Sequence, residues 1–314
     1  MDAQIKPFSG HEFILFNHQG KAQIFIDALA PGYCPISRSQ PHQNSAFVLS
    51  DNDVLSRRSQ LEKLHREGIR KVFIYPHSAR PPLAYAFYEP WPGTTAQFVS
   101  TDAHAEILQI IGYRGRLHSV GFGLCPVREF QPRAEIHNVL FAPIHPRNSK
   151  IDKQVNAAAL AALLPLVKAG QIKLTVRYLA PFDGNGIERH DSITYVEGAA
   201  APSLAIKQID GADLVVGHQT FAFLAVARGI PTLMMGEDVR PHIEFRNGTF
   251  LQARGWNEIK DKVIYPLDIL NSSNVAELMR RAASDDGEIS DWRSRMIGPA
   301  FDAPKFLFDL ESYL

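Results

Sequence analysis

The sequence predicts an α/β chain made of two successive parallel-sheet domains, and three observations carry that prediction. Short apolar runs rich in β-branched residues alternate with helix-patterned stretches from Phe13 to Met235. The alternation breaks once, at Cys125 to Asn138, where "CPVREFQPRAEIHN" loses its period and carries two prolines, the composition of a boundary between domains. A chain of 314 residues is also long for one core and suits two domains of roughly 150 residues each. The expected division is residues 1–130 and 138–298, with residues 299–314 docking back on the first domain.

The elements follow in order. "FILF" (13–16) and "AFVL" (46–49) read as strands, and "LSRRSQLEKLHREGI" as an amphipathic helix stopped by Gly68. "KVFIYP", "AQFVS" and "LHSVGF" are further strands, and "DAHAEILQIIG" is a helix with Asp102 as its N-cap and Gly112 as its stop. The boundary segment is expected to act as a linker. Beyond it, "NVLFAPIHP" is a strand and its exit loop, "DKQVNAAALAALLPLVKAG" a long helix, "IKLTVRYL" and "SITYVEG" strands, and "PSLAIKQID" a short helix. Leu214 to Val216, the polar triplet His218-Gln219-Thr220, the helical stretch Ala222 to Arg228, the stop Gly229 and the run Thr232 to Met235 together form a βαβ unit. From Glu288 the chain reads as two short helices broken at Gly298-Pro299.

Composition excludes several classes. Lys+Arg and Asp+Glu both number 33, so no overall charge favours a nucleic-acid coat or an anionic membrane surface, although one basic cleft is compatible with neutrality. Cys34 and Cys125 are the only cysteines, too few for a disulfide framework, and packing is their expected role. "MDAQIKPFSGHEF" lacks the pattern of a secretory signal, and no stretch approaches the ~20 apolar residues that span a bilayer. A cytoplasmic protein with no integral membrane segment is expected. There is no Walker lysine loop, no G-x-G-x-x-G after a strand and no metal-ligand spacing, so neither cofactor nor metal is expected.

Three segments resemble the two-Rossmann-domain glycosyltransferases called GT-B, and the non-hydrolysing UDP-sugar 2-epimerases that share their fold. They are "ADLVVGHQTFAFLAVARGIPTLMM", "VLFAPIHPRNSK" and "FNHQGKAQIF". The resemblance implies two Rossmann-like domains facing across a cleft, with a nucleoside-diphosphate sugar, UDP-linked, held by the second and the acceptor by the first. Two departures stand out. Where many members place a glutamate for the donor ribose, seven residues before the proline of Gly-x-Pro, this chain has Leu224, which turns attention to Glu237 and Asp238. The glutamate pair of many retaining members is absent as well.

Sugar transfer needs charge stabilisation on the leaving diphosphate and a base for the acceptor hydroxyl. For the first, Arg147, Lys150 and Arg177 follow or end strands, and His218, Gln219 and Thr220 open a helix whose free N–H groups suit a phosphate; solvated loop charges and an ordinary helix cap are the competing readings. For the base, His18 follows the first strand and precedes Gly20; His77, Asp102 and Asp51 compete. A glycosyltransferase is the leading reading, with a 2-epimerase and a non-catalytic nucleotide-sugar-binding protein as alternatives. The acceptor is left open among a glycan, a lipid-linked intermediate, a small molecule and a modified nucleobase.

Overall fold

The computed structural model describes residues 12–15, 23–29, 45–50, 62–63, 65–66, 71–76, 95–110, 112–144, 150–179, 186–198, 202–236, 243–246, 249–252, 256–284 and 287–313. The strands are β1 (Glu12–Leu15), β2 (Ser45–Ser50), β3 (Lys71–Tyr75), β4 (Ala96–Val99), β5 (Leu117–Ser119), β6 (Asn138–Phe141), β7 (Lys173–Tyr178), β8 (Thr194–Glu197), β9 (Leu214–Gly217), β10 (Thr232–Met234), β11 (Ile243–Arg246) and β12 (Thr249–Gln252). The longer helices are α1 (Gln23–Leu29), α2 (Asp102–Ile110), α3 (Lys150–Lys168), α4 (Pro202–Ile209), α5 (Gln219–Ala227), α6 (Trp256–Val263), α7 (Val275–Ser284), α8 (Gly287–Met296) and α9 (Ala303–Glu311). Contacts gather the chain into two units, one within Met1–Leu124, His242–Ile259 and Gly298–Leu314, the other within Cys125–Pro241 and Lys260–Ile297. Each holds a five-stranded parallel sheet, so the chain is α/β with two Rossmann-like domains. Among the described residues no helix is long and apolar enough to cross a membrane.

In the first unit, β1 to β5 lie side by side in chain order, all parallel. β4, "AQFV", is buried at every position, as expected of a strand covered on both faces. Thr101, and not Asp102, caps α2: its hydroxyl accepts from the His104 amide at 3.1 Å. Asp102 is instead the first helical residue, exposed, and accepts a hydrogen bond from the Ser119 hydroxyl. The short Thr side chain sits one residue earlier, where it reaches the third helical amide.

The end of the chain completes this unit. Phe122 N donates to Pro299 O at 2.9 Å and Asp302 N to Val120 O at 2.8 Å, which lays the returning backbone beside the continuation of β5. Asp302 then caps α9 by accepting from Lys305 N at 2.9 Å. α9 presses Phe306, Leu307 and Leu310 into the cluster of Phe25, Phe73, Tyr75 and Phe98, with the Phe98 and Phe306 rings 4.7 Å apart, edge to face. Burial of each such side chain contributes about 1.5–3 kcal/mol. On β5, His118 stands between the Tyr313 hydroxyl (2.7 Å) and Asp309 (3.3 Å), a polar clasp beside this apolar seam.

In the second unit the strand order is β10-β9-β6-β7-β8, again all parallel. β9, "LVVG", is wholly buried. α5 is buried from Ala222 to Ala227, in keeping with a helix that is apolar all round. α3 is amphipathic, burying Val155, Ala159, Leu160 and Leu163. α2 and α5 end alike: Gly112 and Gly229 take φ 105° and 72°, and the residues after them donate to Leu108 O and Ala225 O, five residues back. These are Schellman closures, which need the left-handed region that glycine enters freely.

The segment read as a linker is bound into the second unit. Arg128 N donates to Ala227 O (2.8 Å), Gln131 N to Gly229 O (2.9 Å) and Arg133 N to Ala283 O (3.0 Å). It lacks strand or helix period because its backbone bonds go to helix ends and not to a ladder. Arg228, 3% exposed, anchors it: the guanidinium donates twice to the Asp210 carboxylate (2.9 and 2.7 Å) and once to Pro126 O (2.9 Å). Cys125 packs beside this pair, and burial pushes its thiol up to about 12. Cys34 lies outside the described residues.

Residues 243–284 hold elements that the sequence reading did not assign: the β11–β12 hairpin, α6 and α7. Signals were present. Asn247-Gly248 between the paired runs is a hairpin dipeptide. Asn274 accepts from Glu277 N at 3.1 Å, a capping-box spacing ahead of buried Leu278, Met279, Ala282 and Ala283.

Removal of Arg228 takes both of its hydrogen bonds from the Asp210 carboxylate and the one to the Pro126 carbonyl. Arg228→Ala is expected to cost about 3–5 kcal/mol in urea unfolding. Arg128→Ala, 52% exposed and 3.5 Å from the same carboxylate, is expected to cost under ~1 kcal/mol. The hydrogen bonds from Arg228 hold the Asp210 carboxyl below its ordinary range. The pair therefore stabilises the fold fully at neutral pH and loses its effect as pH falls through that lowered value. Acidification should destabilise wild type more steeply than Arg228→Ala, and equal slopes would count against the pair as anchor.

Candidate functional site

The sheet of the second unit has one place where the chain direction reverses. β6 pairs in parallel with β7 on one side and β9 on the other. The connection through α3 leads to β7, and the one through α5 leads from β9 outward to β10. In such a sheet the crevice outside the carboxyl ends of the two central strands is where ligands bind.

Several buried polar groups shape that edge. Asn156 on α3, fully buried, grips Ile144 in the exit from β6: its Oδ1 accepts from Ile144 N (2.8 Å) and its Nδ2 donates to Ile144 O (3.0 Å). Asp268, 4% exposed, accepts from Gly236 N (3.1 Å) and Leu270 N (2.9 Å), fixing the exit from β10. Asp152 is also buried, in the first turn of α3.

After β9, His218 is the N-cap of α5, extended at φ −133° and ψ 145°, and makes no side-chain cap hydrogen bond. Its ring turns instead to the end of β10, with Nδ1 3.2 Å from Met235 O. A carbonyl only accepts, so Nδ1 carries a hydrogen and Nε2 is the acceptor of the neutral ring. The amides of Gln219, Thr220 and Phe221 form the first turn of the helix, at the carboxyl edge of the sheet. Such a turn carries the positive end of the helix dipole.

Of the sequence candidates, His218, Gln219 and Thr220 come together at this helix start. His218 is the cap, while Gln219 and Thr220 are the first two helical residues and not loop residues, because the chain turns into α5 directly after Gly217. Lys150 begins α3 on the same edge. Arg177 differs from its expected position as a cleft-side charge. It is 6% exposed, its Nε donates to Gln208 Oε1 at 2.7 Å, and its guanidinium lies 4.7 Å over the Phe221 ring. Period-2 alternation in β7 turns it under α4 and α5, where burial lowers its pKa. It supports the first turn of α5 from beneath. Asp102 stands at the carboxyl end of β4 in the other unit. Arg147, Glu237, Asp238, His18, His77 and Asp51 lie outside the described residues. Leu224, at the position of the family glutamate, is buried in α5.

Sequence reasoning missed Asn156, Asp152 and Asp268. A signal existed for the first two, since they fall in the apolar stripe of α3 with Val155, Ala159, Leu160 and Leu163. A polar side chain at such a position must find a partner. Among the described residues no three His, Cys, Asp or Glu side chains gather as a metal-binding group.

No protein-family model matches the sequence, and no curated protein does. Among solved structures, the trehalose-6-phosphate synthase OtsA matches at 12% identity, covering 87% of this chain and 71% of its own, with a TM-score of 0.43. The UDP-forming α,α-trehalose-phosphate synthase of Burkholderia xenovorans, in complex with glucose-6-phosphate, matches at 11% identity over 86% of this chain and 73% of its own, TM-score 0.47. A variant of S. aureus TarM, in complex with fondaparinux, α-GlcNAc-glycerol and UDP, matches at 13% over 86% of this chain, TM-score 0.43. This chain spans 55% of the TarM chain and 57% of the matched chain of the GtfA/B complex. Each of these likenesses is one of fold, at 11–13% identity and with a TM-score of 0.43–0.47.

Proposed function

We propose that the chain is a metal-independent, cytoplasmic glycosyltransferase that takes a sugar from a nucleoside diphosphate, UDP being the expected carrier, and passes it to an acceptor hydroxyl. The observation that carries the reading is the start of α5: a helix N-terminus with no side-chain cap from its N-cap residue, at the switch point of a Rossmann-ordered sheet. As the glycosidic bond breaks, negative charge grows on the diphosphate. Fixed N–H groups and a helix dipole oppose it without reorganising. In this reading Arg147 and Lys150 add cationic charge from the segment after β6, and His218 adds a donor when protonated. Glu237 or Asp238, following β10, takes the ribose. Arg177 serves by holding the helix start in place.

The first unit supplies the base. Asp102, exposed at the end of β4, is a carboxylate that accepts a hydrogen bond from Ser119, a donor that orients it. His18, between β1 and α1 in sequence, is the other candidate. Its imidazole suits proton abstraction near neutral pH.

UDP is expected to bind in the presence of a chelator and to raise stability by about 2.7 kcal/mol at 100 times its dissociation constant, read as a thermal shift. Affinity that appears only with a divalent cation would remove the metal-free assignment. Arg147→Ala and Thr220→Ala should each weaken UDP binding by roughly 1.5–3 kcal/mol in titration calorimetry; wild-type affinity in both would return the α5 start to an ordinary helix end.

Base and donor separate kinetically. With a radiolabelled nucleotide sugar and an acceptor mixture, His18→Ala or Asp102→Ala should lower kcat on the order of 10² to 10⁴ with UDP affinity unchanged. Full activity in both variants clears both residues, and UDP binding without transfer to any acceptor favours the non-catalytic reading.

A further inference from the structure

At the opposite, amino edge of the sheet in the second unit lies a groove of about 280 Å³ that the proposed transfer does not use. It is bounded by the segment before β6, the end of α3, the turn into β7 and one face of α7 from Ala276 to Ser284. Its lining is mostly apolar, with Ile136, Leu166, Met279 and Ala283 among it, and also holds Gln171, Ser284 and two arginines, Arg133 and Arg280. No carboxylate lines it among the described residues.

Arg133 is held in place, since its amide is bonded to Ala283 O at 3.0 Å. Its Nε is shielded from water and has no hydrogen-bond partner, and its Nη2 reaches only Gln131 Oε1 at 3.5 Å. Its charge is felt by Asp213. The Oδ2 atom of that carboxylate already accepts from His137 N, Asn138 N and Asn138 Nδ2 at 3.1, 2.8 and 3.1 Å. Arg280, 74% exposed, pairs with Glu277 on its own helix and can swing to a second anion. A partly exposed guanidinium beside apolar side chains is the complement of an anionic head on an apolar body.

We infer that this groove binds a small amphipathic carboxylate, an aliphatic body of about eight carbons ending in one carboxyl group that the Arg133 guanidinium receives. The size agrees: the groove holds roughly nine times the ~30 Å³ of one water in the liquid, room for about ten heavy atoms. Arg133 fixes the head by charge-assisted hydrogen bonds, and Met279 adapts to the chain as an unbranched thioether does. The site is independent of the proposed donor site, because the 19 residues of α3 place about 28 Å between the helix start and its far end.

The test is titration calorimetry of the full chain with octanoate, octanol, hexanoate and octylamine. Octanoate should saturate at one site, with octanol and octylamine at least about tenfold weaker, and loss of two methylenes should weaken binding by about tenfold or more. Arg133→Gln should lower octanoate affinity by about tenfold. Ala276→Phe, on the exposed wall of the groove, should block octanoate while leaving the melting temperature near wild type; it provides the control if Arg133→Gln folds poorly. UDP should not displace octanoate. Octanol or octylamine binding as well as octanoate, wild-type affinity in folded Arg133→Gln or in Ala276→Phe, displacement by UDP, or no saturable binding would each overturn the inference.

Discussion

β6 pairs in parallel with β7 on one side and with β9 on the other, and parallel neighbours cannot be joined by a tight turn. Each connection must cross back over the sheet: α3 carries the chain from β6 to β7, and α5 carries it from β9 to β10. Two helices therefore begin at the same sheet edge, on either side of the reversal in strand order. Everything proposed about the donor site rests on that topology, because the positive end of a helix dipole is useful only where a ligand can reach it.

Polar side chains inside the second unit are used chiefly to fix backbone. Asn156 holds the exit from β6, Asp268 the exit from β10, and His218 ties the exit of β9 to that of β10. Arg177 and Arg228 do the same for α5, one beneath its first turn and the other at its end, where it also captures Asp210 and Pro126. A buried amide, carboxylate or guanidinium is costly unless satisfied, and so each chooses one backbone geometry sharply. The strand exits are pinned at Ile144, Met235 and Gly236 for this reason. Arg133 differs from these, with its Nε shielded and unmatched at the other pole of the same sheet.

The apolar periods of the sequence marked β3, β4, β6, β7, β9 and β10 and the helices α2, α3 and α5, because strand burial and helix amphipathicity impose different periods on the same residue types. The stops at Gly112 and Gly229 were equally legible, since only the left-handed region closes those helices as they are closed. Cap identity was less so. Thr101 and Asp102 are both good caps by type, and the choice between them depends on where the strand ends and the first helical turn begins. The start of α5 could be named from "GHQTF", but not that His218 would turn to Met235 and leave the cap position without a side-chain bond.

The sequence by itself determined the class of fold and the βαβ unit built around His218, because both follow from local period and from the order of elements. Tertiary structure alone decided which charges stay near water. Arg177 read as a basic residue at the end of a strand, yet it is drawn under α4 and α5 by the alternation of β7 and by Gln208 and Phe221, partners 31 and 44 residues away in the chain. The boundary segment read as a linker for the same reason: its bonds go to Ala227, Gly229 and Ala283, and contacts at that distance leave no period in the sequence.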